Sequence, residues 1–163
     1  MALVASAVAA QQFGGQQDRA FADQLWQIMT DRNLAGDDAV QAFPYAGTDP
    51  HGMMLETFYT DATVDGRERA LVVKRNYGPE GLTVDEVLGS RDDHLASVTV
   101  MFRREEGYAP DTGNWFWAKY LPDGSLDQTP EGMPIAGTAQ GCVSCHASAE
   151  GDDYLFTTNA DLQ

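Results

Sequence analysis

Arg69-Ala70-Leu71-Val72-Val73-Lys74-Arg75-Asn76-Tyr77 reads as a β-strand, and the rest of the chain has to be arranged around it. It is rich in valine, and a period of two sets Leu71, Val73 and Arg75 opposite Val72, Lys74 and Asn76. Lys74 therefore sits among apolar neighbours, where the ordinary reading is an edge or snorkelling lysine, because lysine is rarely buried.

Working outward, Asp65-Gly66 is a turn, and before it Gly52 to Asp61 alternates as a second strand. Met54, Glu56, Phe58 and Thr60 share one side and Met53, Leu55, Thr57 and Tyr59 the other, so both sides are expected to be partly covered. Glu56 has two readings: a solvated carboxylate on an outer face, the commoner case, or a catalytic base. After Tyr77, Gly78 to Gly89 is a polar connection, Leu95 to Arg104 is a further strand, and Pro110 and Gly113 turn the chain into Asn114 to Tyr120. That last strand carries Trp115-Phe116-Trp117, much apolar area for a large ligand. Upstream, Phe21, Leu25, Ile28 and Met29 recur at helical spacing from Asp18 to about Leu34, with Gly36 as a stop. Trp26 lies beside that stripe and is assigned to packing. Asp37 to Asp49 is a loop, and Pro122 to Gly137 is an irregular approach to the C-terminal segment. One amphipathic helix followed by strands makes the class α+β.

The C-terminal segment carries the chemistry. Gly141-Cys142-Val143-Ser144-Cys145-His146 contains both cysteines and one of only three histidines. Two thiols one helical turn apart can each bond a vinyl group of a haem, and the adjacent imidazole then falls under the iron. Cys142-x-x-Cys145-His146 is thus a c-type haem attachment site, with His146 the proximal iron ligand and one covalently bound haem c as cofactor. A disulfide or redox pair leaves the histidine unexplained. Zinc needs further ligands, and His51 and His94 are isolated from any other cysteine. Two buried, unpaired cysteines conflict with the polar neighbours Ser144, Ser148 and Glu150.

No methionine follows His146, and those at positions 29, 53, 54, 101 and 133 all precede the motif. Met133, in a loop, is the least unsuitable sixth ligand, but a gap-filling role is commoner. The simpler expectation is His146 on one side of the iron and an open site on the other, which binds small molecules.

The whole chain agrees with a single small domain. Its 163 residues, 43% hydrophobic and 21% charged, are enough for one core. Twenty-five acidic against 10 basic side chains give a net charge of -15, which excludes nucleic acid as a partner and repels anionic membranes. Residues 1–16 read as a leader and joint: Met1 to Ala10 is apolar and small, like the end of a truncated secretory signal and too short to span a bilayer, and Gly14-Gly15 is a flexible joint. Residues 17–163 form the haem domain. Attachment of haem to Cys-x-x-Cys-His in bacteria requires export, so a periplasmic location is expected.

Several stretches together resemble the P-460 cytochromes, mono-haem c-type proteins that include the c'-beta cytochromes. They are Pro50-His51-Gly52, Val72-Val73-Lys74, Asn76-Tyr77-Gly78, Gly107-Tyr108, Asn114 to Tyr120, Gly141 to His146, and Asp153-Tyr154-Leu155-Phe156-Thr157. The resemblance implies a mainly antiparallel sheet with a few helices, a C-terminal haem motif, five-coordinate iron and a homodimer. It also implies a covalent bond from a strand lysine to the haem macrocycle, and the position similar to that lysine is Lys74. The residue after it, commonly acidic in such sequences, is here Arg75. The c'-beta members imply aromatic side chains crowding the iron, for which Phe58 and Phe102 are candidates.

The function implied is oxidation of hydroxylamine or related nitrogen oxides, to nitric oxide or nitrous oxide. Glu56 is the first candidate for the distal base and Asp61 the second, and electrons leave to an external acceptor such as another cytochrome. The alternative is a non-catalytic binder of nitric oxide or carbon monoxide. A simple electron carrier is disfavoured by the lack of an obvious sixth ligand.

Overall fold

The computed structural model describes residues 13–149 and 153–156. A helix, α1 (Gln16–Asp31), precedes the strands β1 (Tyr45–Ala46), β2 (Met54–Val64) and β3 (Arg67–Tyr77). Two short helices, α2 (Val84–Gly89) and α3 (Arg91–His94), lead into β4 (Leu95–Arg103) and β5 (Trp115–Tyr120). Then come β6 (Ala136–Gly137) and α4 (Gln140–His146). All six strands form one antiparallel sheet in the order β1-β2-β3-β4-β5-β6, so every strand pairs with its sequence neighbour. The class is α+β, as the sequence implies.

The Asp65-Gly66 turn fixes the register of the central hairpin. Both residues take positive φ, 50° and 75°, which is the backbone a two-residue loop between twisted strands needs, and Val64 pairs with Arg67 directly across it. Pairing then runs without interruption from there to Met54 and Tyr77. Because side chains alternate, this register decides which residues meet on each side of the sheet.

One side is the main core. Phe21, Ala22, Leu25 and Met29 of α1 pack on Ala62, Val64, Leu71, Val73, Val98, Val100, Phe102, Phe116, Ala118 and Tyr120. The helix ends where Asn33 turns left-handed at φ 56°, and Leu34 folds back into the core with its N–H on the Met29 carbonyl at 2.8 Å. Phe58 and Phe102 lie on this side, as does Trp26, whose ring stands 5.0 Å from that of Tyr120. The polar connection after Gly78 contains more structure than its composition suggests. Thr83 and Glu86 form a capping box, and the helix α2 behind it puts Val87 against Met54 and Tyr77.

Glu56 is not solvated, and it lies on the side of the sheet away from α4. It is fully buried on the α1 side of the sheet, where Tyr77 Oη donates to its Oε2 at 2.6 Å, Arg91 Nη2 to its Oε1 at 2.5 Å, and Arg75 Nε lies 3.3 Å away. This corrects both sequence readings: the carboxylate is an internal strut that ties β2, β3 and the start of α3 together.

Phe13 to Gly15 are also docked rather than a loose joint. Gly14 N–H donates to the Ala136 carbonyl at 2.8 Å, and a Cβ on Gly14 would lie 2.5 Å from the Pro134 carbonyl oxygen. The apolar run at residues 1–10 lies outside the described residues.

Removing one partner of a buried ion cluster leaves the others as uncompensated charge. Glu56→Ala is therefore expected to lower the unfolding free energy by about 3–5 kcal/mol, measured by denaturant titration. A loss below about 1 kcal/mol is what an exposed carboxylate would give.

Candidate functional site

The other side of the sheet is the floor of a cavity of about 340 Å³. Two cross-strand rows make that floor. Tyr59, Val72, Met101 and Trp117 are register partners along one, and Lys74, Thr99 and Lys119 along the next. The walls come from α4 and the returning C-terminal segment: Cys142, Val143, Tyr154 and Leu155 pack on Val72, Met101, Trp115 and Trp117. Cys142, Cys145, His146, Lys74 and His51 all line the same space.

The helix α4 explains the thiol geometry. Cys142 and Cys145 are three residues apart on it, hence on one face, and His146 is its last residue. Cys142 is half-buried and Cys145 exposed, and neither is in a disulfide. Burial pushes the Cys142 thiol up, opposed by the nearby Lys119 charge. His146 is buried, with its Nδ1 at 2.7 Å from the Tyr154 carbonyl oxygen. A carbonyl can only accept, so Nδ1 carries the proton and Nε2 keeps its lone pair for a metal. Burial is the largest influence on its pKa and lowers it, which favours the neutral, ligating form.

Tyr154 is held in place by its neighbours. Trp115 Nε1 donates to the Asp153 carbonyl at 3.0 Å, Arg103 pairs with the Asp153 carboxylate and stacks on Trp115 at 4.1 Å, and Tyr154 Oη donates to Asp111 O at 2.8 Å. The segment is a strap that orients the histidine through one carbonyl.

A family model described as Cytochrome P460 matches residues 34–157. The chain belongs to the cytochrome P460 family. Neither a curated protein nor a solved structure matches it. The family implies haem, and the residues of the cavity suit one: thiols one turn apart, an imidazole with its Nε2 free, and mostly apolar walls. Its volume lies within the roughly 300–1,000 Å³ typical of ligand sites. Zinc has no ligand set here, since among the described residues no group of three or more His, Cys, Asp or Glu is spaced to hold a metal ion.

Other sequence candidates separate clearly in this P460 chain. Lys74 is in the cavity, and burial lowers its pKa, opposed by the charge of Cys145, so burial favours the neutral amine. Glu56 is on the opposite side of the sheet and cannot act as a distal base. Asp61 is exposed and is not among the lining residues. Phe58 and Phe102 belong to the α1 core, so neither crowds the cavity; the aromatics that line it include Tyr59, Trp117 and Phe156, the last 5.4 Å from the His146 ring. Met133 does not line the cavity, whereas Met101 does.

His51 is the residue that sequence reasoning set aside. It sits on a turn clamped to the end of β3: a Cβ on Gly52, at φ 115°, would lie 2.9 Å from the Tyr77 carbonyl oxygen, and one on Gly47 2.3 Å from that of Gly52. Its ring stands 6.0 Å from the His146 ring. Burial first, then the charges of Lys74, His146 and Lys119, lower its pKa to about 4, so it is neutral at pH 7. The only signal in the sequence was Pro50-His51-Gly52 itself, because its partners lie on other strands.

The strap yields a direct test. Trp115→Phe keeps the ring packing but removes the bond to Asp153, and is expected to cost about 1 kcal/mol. Amide exchange at residues 153–156 should accelerate while the central strands stay protected. Equal protection in both proteins would show that the indole N–H does not hold the strap.

Proposed function

We propose that the protein is an exported haem protein, with one haem bound through thioethers to Cys142 and Cys145, that oxidises hydroxylamine or a related small nitrogen compound. The observation that carries this reading is the gathering of Cys142, Cys145, His146 and Lys74 around one largely apolar cavity. Haem supplies a redox-active iron that exchanges electrons with a bound small molecule and passes them to an external acceptor. His146 holds the metal through Nε2, while the Tyr154 carbonyl fixes its tautomer and raises its basicity. Lys74, a partly dehydrated amine on the cavity floor, is the group suited to a covalent bond with the macrocycle edge. The apolar walls keep bulk water from the reacting atoms. The protons released with the electrons need an acceptor on this side of the sheet, and the neutral His51 ring, 6.0 Å from that of His146, is suited to the role.

One observation favours the second reading, a binder of nitric oxide or carbon monoxide without turnover. Among the described residues no carboxylate lines the cavity, and gas binding needs no base. An acidic exterior also suits an electron acceptor with a basic surface, which would be steered to it and released by salt.

The two readings part on turnover. Under the enzymatic reading, the haem-loaded protein reduces an added one-electron acceptor when given hydroxylamine, and Lys74→Ala lowers that rate by roughly tenfold or more and changes the absorption spectrum. Peptide mass analysis should find haem on the Cys142–Cys145 peptide, with a second attachment at Lys74. No turnover together with tight gas binding would select the binder instead.

A further inference from the structure

We propose that the protein has a second binding site, away from the thiols, for a small zwitterion of the amino-acid class, with its carboxylate towards Arg75 and Arg91 and its cationic group towards Asp37, Asp92 and Asp93. These residues line a polar pocket of about 330 Å³ between the end of β3, the loop after α1 and the start of α3. The pocket shares no lining residue with the cavity of Cys142 and His146, so the inference does not depend on the reading of that cavity.

The charge count calls for an anion. Among the described residues, Glu56 is the carboxylate paired with both arginines. Arg75 and Arg91 are only 2% and 8% exposed, so this buried cluster holds two positive charges and one negative. An unpaired charge taken out of water is costly, and a partner ion removes much of that cost. The hydrogen bonding is incomplete as well. Arg91 uses Nη2 for Glu56 and the Ala42 carbonyl and keeps Nε and Nη1 without partners. Arg75 Nε lies 3.3 Å from Glu56 Oε2 but makes no aligned hydrogen bond. These nitrogens are themselves buried, so little water screens the surplus charge from a carboxylate in the pocket beside them.

The three aspartates do not supply the missing partner. They are exposed, and none forms an ion pair with Arg75 or Arg91 among the described residues. The influences on the Arg75 pKa come from burial, Glu56, Tyr77 and Arg91, with none from these aspartates. Their effect is selection. Buried arginines make the floor and exposed carboxylates the rim, so a divalent oxyanion is repelled on entry while a cation is attracted there. A zwitterion with one carboxylate satisfies the floor and the rim together.

Calorimetric titration of the full chain with glycine, γ-aminobutyrate, acetate and sulfate tests the site. At least one of the two zwitterions is expected to bind saturably, and roughly two- to fivefold more tightly than acetate, which offers the same carboxylate without the ammonium. Sulfate should bind more weakly than either. Asp92→Asn with Asp93→Asn, both at exposed positions, should erase the advantage of the zwitterion over acetate. Arg91→Met leaves Glu56 and Arg75 as a balanced pair and should abolish binding of both. In denaturant titration the zwitterion should raise the unfolding midpoint of wild type and leave that of Arg91→Met unchanged.

The proposal is overturned by the absence of saturable binding for both zwitterions, by equal affinity for zwitterion and acetate, or by tighter binding of sulfate. Zwitterion binding that survives in Arg91→Met, or a preference over acetate that survives in the double aspartate variant, overturns it too. Should Arg91→Met fail to fold, the double aspartate variant decides alone.

Discussion

The pleat of β3 divides the molecule. Both of its sides are covered, so each residue from Leu71 to Tyr77 is committed to one of two unlike environments. Leu71 and Val73 enter the α1 core, and Arg75 and Tyr77 join the Glu56 cluster at its end. Val72, Lys74 and Asn76 face the cavity or the polar network behind it. A slip of one residue would bury Lys74 against α1 and turn Arg75 towards the thiols. The tight Asp65-Gly66 turn prevents that slip, so a two-residue loop far from the site determines which amine the cavity contains.

The Glu56 cluster is the costly part of the arrangement. One carboxylate faces two arginines, and all three are nearly or fully buried, so a positive charge is left over. Burial lowers the Arg75 pKa, and the charge of Glu56 opposes that shift. Arg91 keeps Nε and Nη1 without partners. An apolar cluster of similar volume would be no less stable on general grounds. What the ions supply is connection: Arg75 also reaches the Val40 carbonyl and Arg91 the Ala42 carbonyl, so the loop before β1 is tied to the back of the sheet. That loop leads into β1, and β1 into the turn that carries His51.

Much of this was legible in the sequence, for reasons that also explain what was not. Strands β2 to β5 announced themselves because a period of two is a local property. The haem motif did so because its three functional residues are adjacent on one helix. The side of the sheet on which Glu56, Phe58 and Phe102 sit was not legible. Alternation divides a strand into two sets of residues but does not say which set meets the ligand, and here both sets are apolar enough to be buried. His51 was missed because its partners, Thr99, Asn76 and His146, are brought to it only by β3–β4 pairing and by the return of the C-terminal segment. The β6 strand and α2 were missed because a two-residue strand carries no period, and a one-and-a-half-turn helix is specified mainly by its cap at Thr83 and Glu86.

The two histidines of the cavity are held with different firmness. His146 is bound by a backbone carbonyl at 2.7 Å, on a strap fixed by Trp115, Arg103 and Asp111. His51 is bound by a hydroxyl at 3.3 Å, on a turn whose flanking Met53 is exposed. A short bond to a fixed acceptor holds both tautomer and ring orientation, while a long bond to a rotor holds them weakly. His146 also follows Cys145 directly on α4, whereas His51 has no cysteine beside it in sequence. His146 is therefore the more firmly oriented of the two imidazoles that line the cavity.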